Sequence, residues 1–332
     1  MNILCFGSLN IDYTYFVDDF VSAGKTITAS KMQKSFGGKG LNQSIALARA
    51  GANVYHAGLI GGDGAELKSF LEQNGVCADL VDVIDAPTGH AIIQVDNNGG
   101  NCIIVCGGAN RMLDRRYIDN VLSKFDRGDA IVLQNEINDV AYIAQKAHAN
   151  GMVVSANPSP IEGFDVCLDD VDIILVNEHE AKALFGENDV EAVARIVREK
   201  YRSKTVVMTL GSRGASFIDD DKTIFCEACR VNAVDTTGAG DTFTGFFLKC
   251  YLDGMDAKSA MNIATRAAAI SVTRLGAAVS IPYMNEIQKK SELMLAFFYL
   301  SQNLLMLFLN ILNILSFMSD VIVCGDLKSD SV

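Results

Sequence analysis

Clustered positive charge is what this sequence has least of. Lys and Arg total 28 against 40 Asp and Glu, a net charge of −12. A nucleic-acid footprint needs a basic patch, so that class of partner is excluded, and an anionic ligand must be held by local groups and a metal. The nine cysteines form no regular framework, and the chain opens on the strand-like Ile3-Leu4-Cys5-Phe6 instead of a signal peptide. Both absences point to a reducing cytoplasm. Cys226-x-x-Cys229 has no second pair and reads as buried thiols in a strand region, not as a zinc or redox centre. Gly-x-Gly-x-x-Gly is missing after the first strand, where Gly7-Ser8-Leu9-Asn10 stands, which argues against a dinucleotide oxidoreductase. A Walker A loop is missing too: Gly24-Lys25-Thr26 lacks the first glycine, whose place Asp19 occupies. His179-Glu180 has Ala183 where a metalloprotease helix needs its second histidine.

What is present is an α/β pattern long enough for one large domain or two average ones. Ile3–Phe6, Val54–Ile60, Ala130–Leu133, Met152–Ala156, Ile173–Val176 and Thr205–Leu210 are short apolar runs with amphipathic stretches between them. Such runs predict a mostly parallel sheet covered by helices on both faces. Thr26–Phe36 and His90–Cys106 alternate instead, and the second contains the turn Asp96-Asn97-Asn98-Gly99-Gly100-Asn101, so these segments are expected to form a small β lid. In open parallel sheets ligands bind beyond the carboxyl ends of the strands, where Asn10 and Asp12, Gln134-Asn135-Glu136, Asn157-Pro158-Ser159-Pro160 and Asn177-Glu178-His179-Glu180 fall.

The C-terminal region differs in character. Leu293 to Met318 carries no charge, and its length matches the roughly 20 apolar residues of a membrane span. Gln302, Asn303, Asn310, Asn313 and Ser316 fall mostly on one side at about 100° per residue. An amphipathic helix that packs or associates peripherally is therefore the expectation, with a membrane anchor or an appended tail as the alternatives.

The chemistry concentrates in two glycine-rich helix starts. Asp235-Thr236-Thr237-Gly238-Ala239-Gly240-Asp241 precedes the helical run Thr242–Leu248 and predicts an anion cradle, because unpaired amides and the helix dipole favour negative charge there. Asp241, at its mouth, is placed to take a proton from an attacking alcohol. Phe36-Gly37-Gly38-Lys39-Gly40-Leu41-Asn42-Gln43 opens a helix predicted over Ser44–Ala50, and with Asn10 and Asp12 it supplies the paired donors and acceptors that sugar hydroxyls require. Asn177 and Glu180 suit Mg²⁺ or its waters, and equally suit a capping box; the two readings are compatible.

These residues resemble the ribokinase branch of the phosphofructokinase-B-type carbohydrate kinases from about Asn2 to about Tyr283. The motifs occur in that family's order: Gly7 to Asp12, Gly37 to Gln43, Asn157 to Pro160, Asn177 to Glu180, Thr209-Leu210-Gly211-Ser212-Arg213-Gly214, and Asp235 to Asp241. The resemblance implies a three-layer kinase domain over 1–288, lid segments at about 10–16, 26–36 and 89–106, and a tail over 289–332 without counterpart. It further implies ATP-dependent phosphorylation of D-ribose at its 5-hydroxyl and a homodimer formed through the lids. Asn10, Asp12, Gly38, Lys39, Gly40, Leu41, Asn42 and Glu136 would contact the sugar, with Asp241 as base and Gly238, Ala239 and Gly240 as anion hole. Asn177, Thr209 to Gly214, Gly240, Asp241 and Thr265 would contact the nucleotide. Asp235, Thr237, Ser271, Arg274, Gly276 and Ser280 would hold K⁺, several through backbone carbonyls. Another sugar or nucleoside kinase of the same fold and a non-catalytic sugar sensor remain the alternatives.

Overall fold

The computed structural model describes residues 1–288, of which Met1–Met284 form one compact unit. The apolar run from Leu293 to Met318 lies outside the described residues. Among those described, no helix is long and apolar enough to cross a membrane.

The chain starts with β1 (Ile3–Phe6), leaves through β2 (Asn10–Phe16) and β3 (Lys31–Gly37), and returns in α1 (Lys39–Arg49). After β4 (Val54–Gly61), α2 (Ala65–Gln73) and β5 (Val76–Ile84) comes a second excursion, β6 (Gly89–Val95) and β7 (Asn101–Cys106). Next are α3 (Arg115–Leu122), β8 (Ala130–Gln134), α4 (Val140–Ala149), β9 (Val153–Asn157), β10 (Ile173–Asn177), α5 (Glu178–Phe185) and α6 (Val190–Lys200). The described elements close with β11 (Thr205–Thr209), β12 (Gly214–Ile218), β13 (Thr223–Glu227), α7 (Ala239–Leu252) and α8 (Ala257–Ser271).

Nine strands form the main sheet in the order β13-β12-β11-β10-β9-β8-β1-β4-β5. Its centre is parallel, and β1 and β8 are buried along their whole length, as continuous apolar runs require when helices cover both faces. The last two strands, β12 and β13, run antiparallel and extend the sheet beyond the six predicted runs. The edge strand β5 was also absent from that prediction, because Asp79 and Asp82 interrupt its apolar character. Four strands, β3-β2-β6-β7, make the lid, with β2 and β6 paired in parallel between the two antiparallel excursions. The strand reading of Thr26–Phe36 holds only from Lys31; Thr26–Ser30 lie outside any strand.

α1 begins at Lys39, five residues before the predicted start at Ser44. Gly40 lowers intrinsic helix propensity and hid this first turn. α7 likewise begins earlier, at Ala239, capped by Gly238 in the left-handed conformation with φ 73°. The two helices pack side by side. A Cβ on Gly245 would lie 2.4 Å from the Cβ of Ala46, so only glycine admits this approach. The contact sets Asp241, one turn before Gly245, beside Asn42, one turn before Ala46.

Candidate active site

Asp241 is buried, and both its oxygens are engaged by α1: Asn42 Nδ2 donates to Oδ2 at 3.0 Å and Gln43 Nε2 donates to Oδ1 at 2.9 Å. Gln43 is fixed in turn, its Nε2 also reaching Asn157 Oδ1 at 3.1 Å and its Oε1 accepting from Gln134 Nε2 at 2.7 Å. Two sheet strands, β8 and β9, and two helices thus converge on one carboxylate. Gln43, Gln134 and Asn157 belong to polar clusters visible in the sequence, but nothing in the spacing identified them as the supports of Asp241.

On the lid side, Glu136 Oε2 accepts from Ser8 Oγ at 2.5 Å and from the Lys39 amide at 2.9 Å, which ties the end of β1 to the start of α1. Burial raises the pKa of Asp12 to about 7, with the nearby negative charge of Glu136 adding to the effect. Burial opposes the charge of Lys39, yet Asp241, Glu136 and Glu180 together outweigh it and raise its pKa above the usual lysine range. Gly38 caps α1 at φ 94°. Leu41 departs from its expected role as a sugar contact: its side chain is fully buried in the core and its amide donates to Ser8 O at 3.0 Å. Asn10 is buried and accepts a hydrogen bond from Asn110, a residue in the turn after β7 that no sequence motif marked.

On the other side of Asp241 lies a cavity of about 430 Å³. Thr209, Gly211, Ser212 and Gly214 form one wall, Ala239, Gly240, Phe243 and Thr265 another, and Ala228, Val231, Ala268 and Val272 complete it. Five of the expected nucleotide residues therefore meet Gly240 in one space. Leu210 is buried and donates its amide to Gly214 O at 2.8 Å, shaping the turn instead of lining the cavity. Arg213 pairs with Glu178 at 2.5 Å on the surface. Thr265 spends its hydroxyl on Met261 O at 2.7 Å in its own helix. Cys226 is buried in β13, as expected, but Cys229 is exposed and lines this cavity, so the expectation of buried thiols holds for one of the two.

A smaller cavity of about 150 Å³ lies at Asp241 itself and shares Thr209, Ala239 and Gly240 with the larger one; Lys39, Asn157, Asn177, Glu180 and Gly238 also line it. Asn177 and Glu180 form a full capping box: Asn177 Oδ1 accepts from the Glu180 amide, and Glu180 Oε2 from the Asn177 amide, both at 2.9 Å. Glu180 thereby serves the cap and the cavity wall at once. The first helical bond of α7 runs from Thr242 N to Gly238 O, so the amides of Gly240 and Asp241 precede the ladder. The Ala239 amide turns back to Thr236 O at 3.3 Å.

Asp235 stitches two loops together behind this helix start. Its Oδ1 accepts from the Thr237 amide and hydroxyl at 2.9 and 2.6 Å, and its Oδ2 from the Gly276 amide at 2.8 Å. Burial alone would raise its pKa, but these bonds prevail and hold it below the usual carboxylate range. Arg274 links the other expected members: its amide donates to Ser271 O at 3.0 Å and its guanidinium to Ser280 O at 3.4 Å. The six residues named for the monovalent cation therefore lie on two adjoining segments, Asp235 and Thr237 before α7 and the other four from the end of α8 onward.

A buried carboxylate at a glycine-rich helix start, bordering a small cavity that adjoins a larger one, beside a mostly parallel sheet with a separate four-stranded β lid, fits a carbohydrate kinase. The chain belongs to the pfkB family of carbohydrate kinases, whose family profile matches residues 1–284. It is 35% identical over 291 residues to the ribokinase of Haemophilus influenzae, an alignment covering 84% of this chain and 95% of that protein. Among solved structures, the ribokinase of Thermotoga maritima superposes with a TM-score of 0.77 at 32% identity, covering 87% of this chain and 98% of that one. Arabidopsis thaliana ribokinase complexed with ribose and ATP gives 0.76 at 29% identity, covering 87% and 97%.

Proposed function

We propose that this protein transfers the γ-phosphoryl group of ATP to the 5-hydroxyl of D-ribose, giving ribose 5-phosphate and ADP. The observation that carries the reading is the position of Asp241, held by hydrogen-bonding side chains of α1 on one side and bordering, with Gly240, the cavities on the other. The ribokinase relatives, one of them bound to ribose and ATP, support ribose as the acceptor.

In this reading the sugar lies under the lid against Asn10, Asp12, Asn42 and the Gly38–Gly40 backbone, with Glu136 fixing the loop it touches. Asp241 takes the 5-hydroxyl proton as that oxygen attacks the γ-phosphorus and the bond to the β-phosphate oxygen breaks. Asn42 and Gln43 hold both carboxylate oxygens in place, so the base is oriented before substrate arrives. Amides at Gly240 and Asp241 face the charge on the transferred group, and Lys39 adds a cation to the same cavity. Glu180 and Asn177 offer hard oxygen atoms that suit Mg²⁺ through its waters; bound there, the ion would neutralise phosphate charge. The Asp235 and Arg274 loops offer carbonyl oxygens for K⁺ and shape the cradle from behind. The exposed apolar strand β7, with Ile103, Ile104 and Val105, supports pairing of two copies through their lids.

The test is an ADP-release assay over ribose, 2-deoxyribose, fructose and adenosine, each with and without K⁺. The highest kcat/KM is expected with ribose and K⁺. A higher value with another acceptor, or sugar binding without ADP release, would overturn the assignment.

A further inference from the structure

Three chain crossings between the body and the lid meet at one side-chain amide, that of Asn110. It is buried to 2% exposure in the 3-10 turn Gly108–Arg111, where the second excursion comes back to the body. Its Oδ1 accepts from the Leu9 amide at 3.0 Å, and its Nδ2 donates to Leu9 O at 3.2 Å and to Asn10 Oδ1 at 2.8 Å. Leu9 and Asn10 are where the first excursion leaves, and Gly89 is where the second leaves. A Cβ on Gly89 would stand 2.0 Å from Asn110 Nδ2 and 2.4 Å from Asn10 Oδ1, so that position is kept bare for the contact.

The orientation of these amides follows by elimination. A backbone N–H only donates, so the Asn110 atom facing Leu9 N must be the oxygen, and the atom facing Leu9 O must be the nitrogen. That nitrogen also faces Asn10, which must answer with its own oxygen. Asn10 is thereby left with its Nδ2 donor turned away from the clamp. The peptide group of Leu9, through Asn110, decides whether Asn10 offers a donor or an acceptor beyond it.

We propose that Asn110 is a positioning residue for the sugar: it holds Asn10 in the donor-outward orientation and so helps select the hydroxyl pattern accepted under the lid. This rests on the reading of Asn10 as a sugar contact. Asn110→Asp keeps the volume and the acceptor for Leu9 N but removes both donors, so Asn10 would turn its amide toward the new carboxylate and present its oxygen instead. Asn10→Asp presents an acceptor directly.

The experiment compares Asn10→Asp with Asn110→Asp and runs a double-mutant cycle on Asn10→Ala and Asn110→Asp, reading sugar KM, ATP KM, the ribose to 2-deoxyribose ratio of kcat/KM, and melting temperature. Each single variant is expected to raise sugar KM about tenfold or more, with ATP KM held within about twofold of the parent. The ribose to deoxyribose ratio should shift in the same direction in Asn10→Asp and Asn110→Asp, and Asn110→Asp should add little further loss in the Asn10→Ala background, where no second carboxylate faces it. Additive losses, or an Asn110→Asp enzyme with unchanged sugar KM and ratio, would overturn the proposal. Should Asn110→Asp fail to fold, Asn110→Ser, too short to reach Leu9 and Asn10 together, replaces it with the same expected direction. Asn10→Ala separates the two ideas. A rise in its sugar KM beside an inert Asn110 variant overturns the clamp alone, whereas an unchanged KM overturns the reading of Asn10 and the clamp with it.

Discussion

On the lid side of Asp241 the walls are side-chain amides, hydroxyls and carboxylates tied to one another: Ser8 to Glu136, Asn110 to Asn10, Asn42 and Gln43 to Asp241. On the far side they are mostly alanine, valine and glycine backbone, with Ala228, Ala233, Ala268 and Ala269 around the 430 Å³ cavity. A wall of interlocked polar groups leaves few unfilled hydrogen bonds and is costly to satisfy with the wrong partner, which is how hydroxyl positions are told apart. A wall of small apolar residues offers area and shape, which suits a flat base. The two halves of the site should therefore fail differently when altered.

The severest break lies at the junction itself. Asp241→Asn should lower kcat by about 10²–10⁴, while sugar affinity by calorimetry stays near the parent value; full turnover would remove Asp241 from the role of base. Next comes the apolar half. Ala269→Leu narrows the 430 Å³ cavity proposed for the nucleotide and should raise ATP KM about tenfold or more through overpacking, and a parallel rise in sugar KM would contradict the separation of the halves.

A subtler effect belongs to the polar half. With the Asp12 carboxyl pushed up to about 7, kcat/KM for the sugar should decline below about pH 7 as its protonated form loses an acceptor. The folded pKa lies above the unfolded one, so the native state holds the extra proton between them, and stability should fall as pH rises toward 7. Asp12→Asn should flatten both slopes; an acid limb that survives in this variant would belong to another group. The smallest effect concerns His56, buried behind α1 with Nδ1 2.8 Å from Ser44 Oγ. Burial lowers its pKa to about 4, so the unfolded chain takes up the extra proton first and stability declines from the usual imidazole range down to that value. His56→Gln should lessen this acid sensitivity in a pH-unfolding titration, and an unchanged midpoint would exclude His56 as a contributor.

The motifs that make this site were legible because their chemistry is local. A glycine-rich helix start needs small residues in sequence, and a capping box needs Asn and Glu three apart, so Gly238–Asp241 and Asn177–Glu180 could be read directly. The six predicted strands were legible for a similar reason, since a strand buried on both faces must be apolar throughout. β5 escaped because an edge strand tolerates Asp79 and Asp82, and the first turn of α1 escaped because Gly40 is a poor helix former whose reason for being there is tertiary. Nor could spacing show that Leu41 faces the core while its neighbour Asn42 reaches Asp241, 199 positions further along the chain. Asn110 had no motif at all; its meaning exists only where the lid crossings meet.

The lid's construction bears on how such a protein could be altered. Its strands come from two separate insertions, residues 10–37 and 89–106, placed between elements of a sheet that never uses them for its own pairing. The insertions are joined to each other by the parallel β2–β6 ladder. Transplanting one without the other would strip β2 of a neighbour and open a new edge, inviting aggregation. Acceptor preference should therefore be exchangeable between relatives only as a two-piece graft, moved together with the residue that clamps its root.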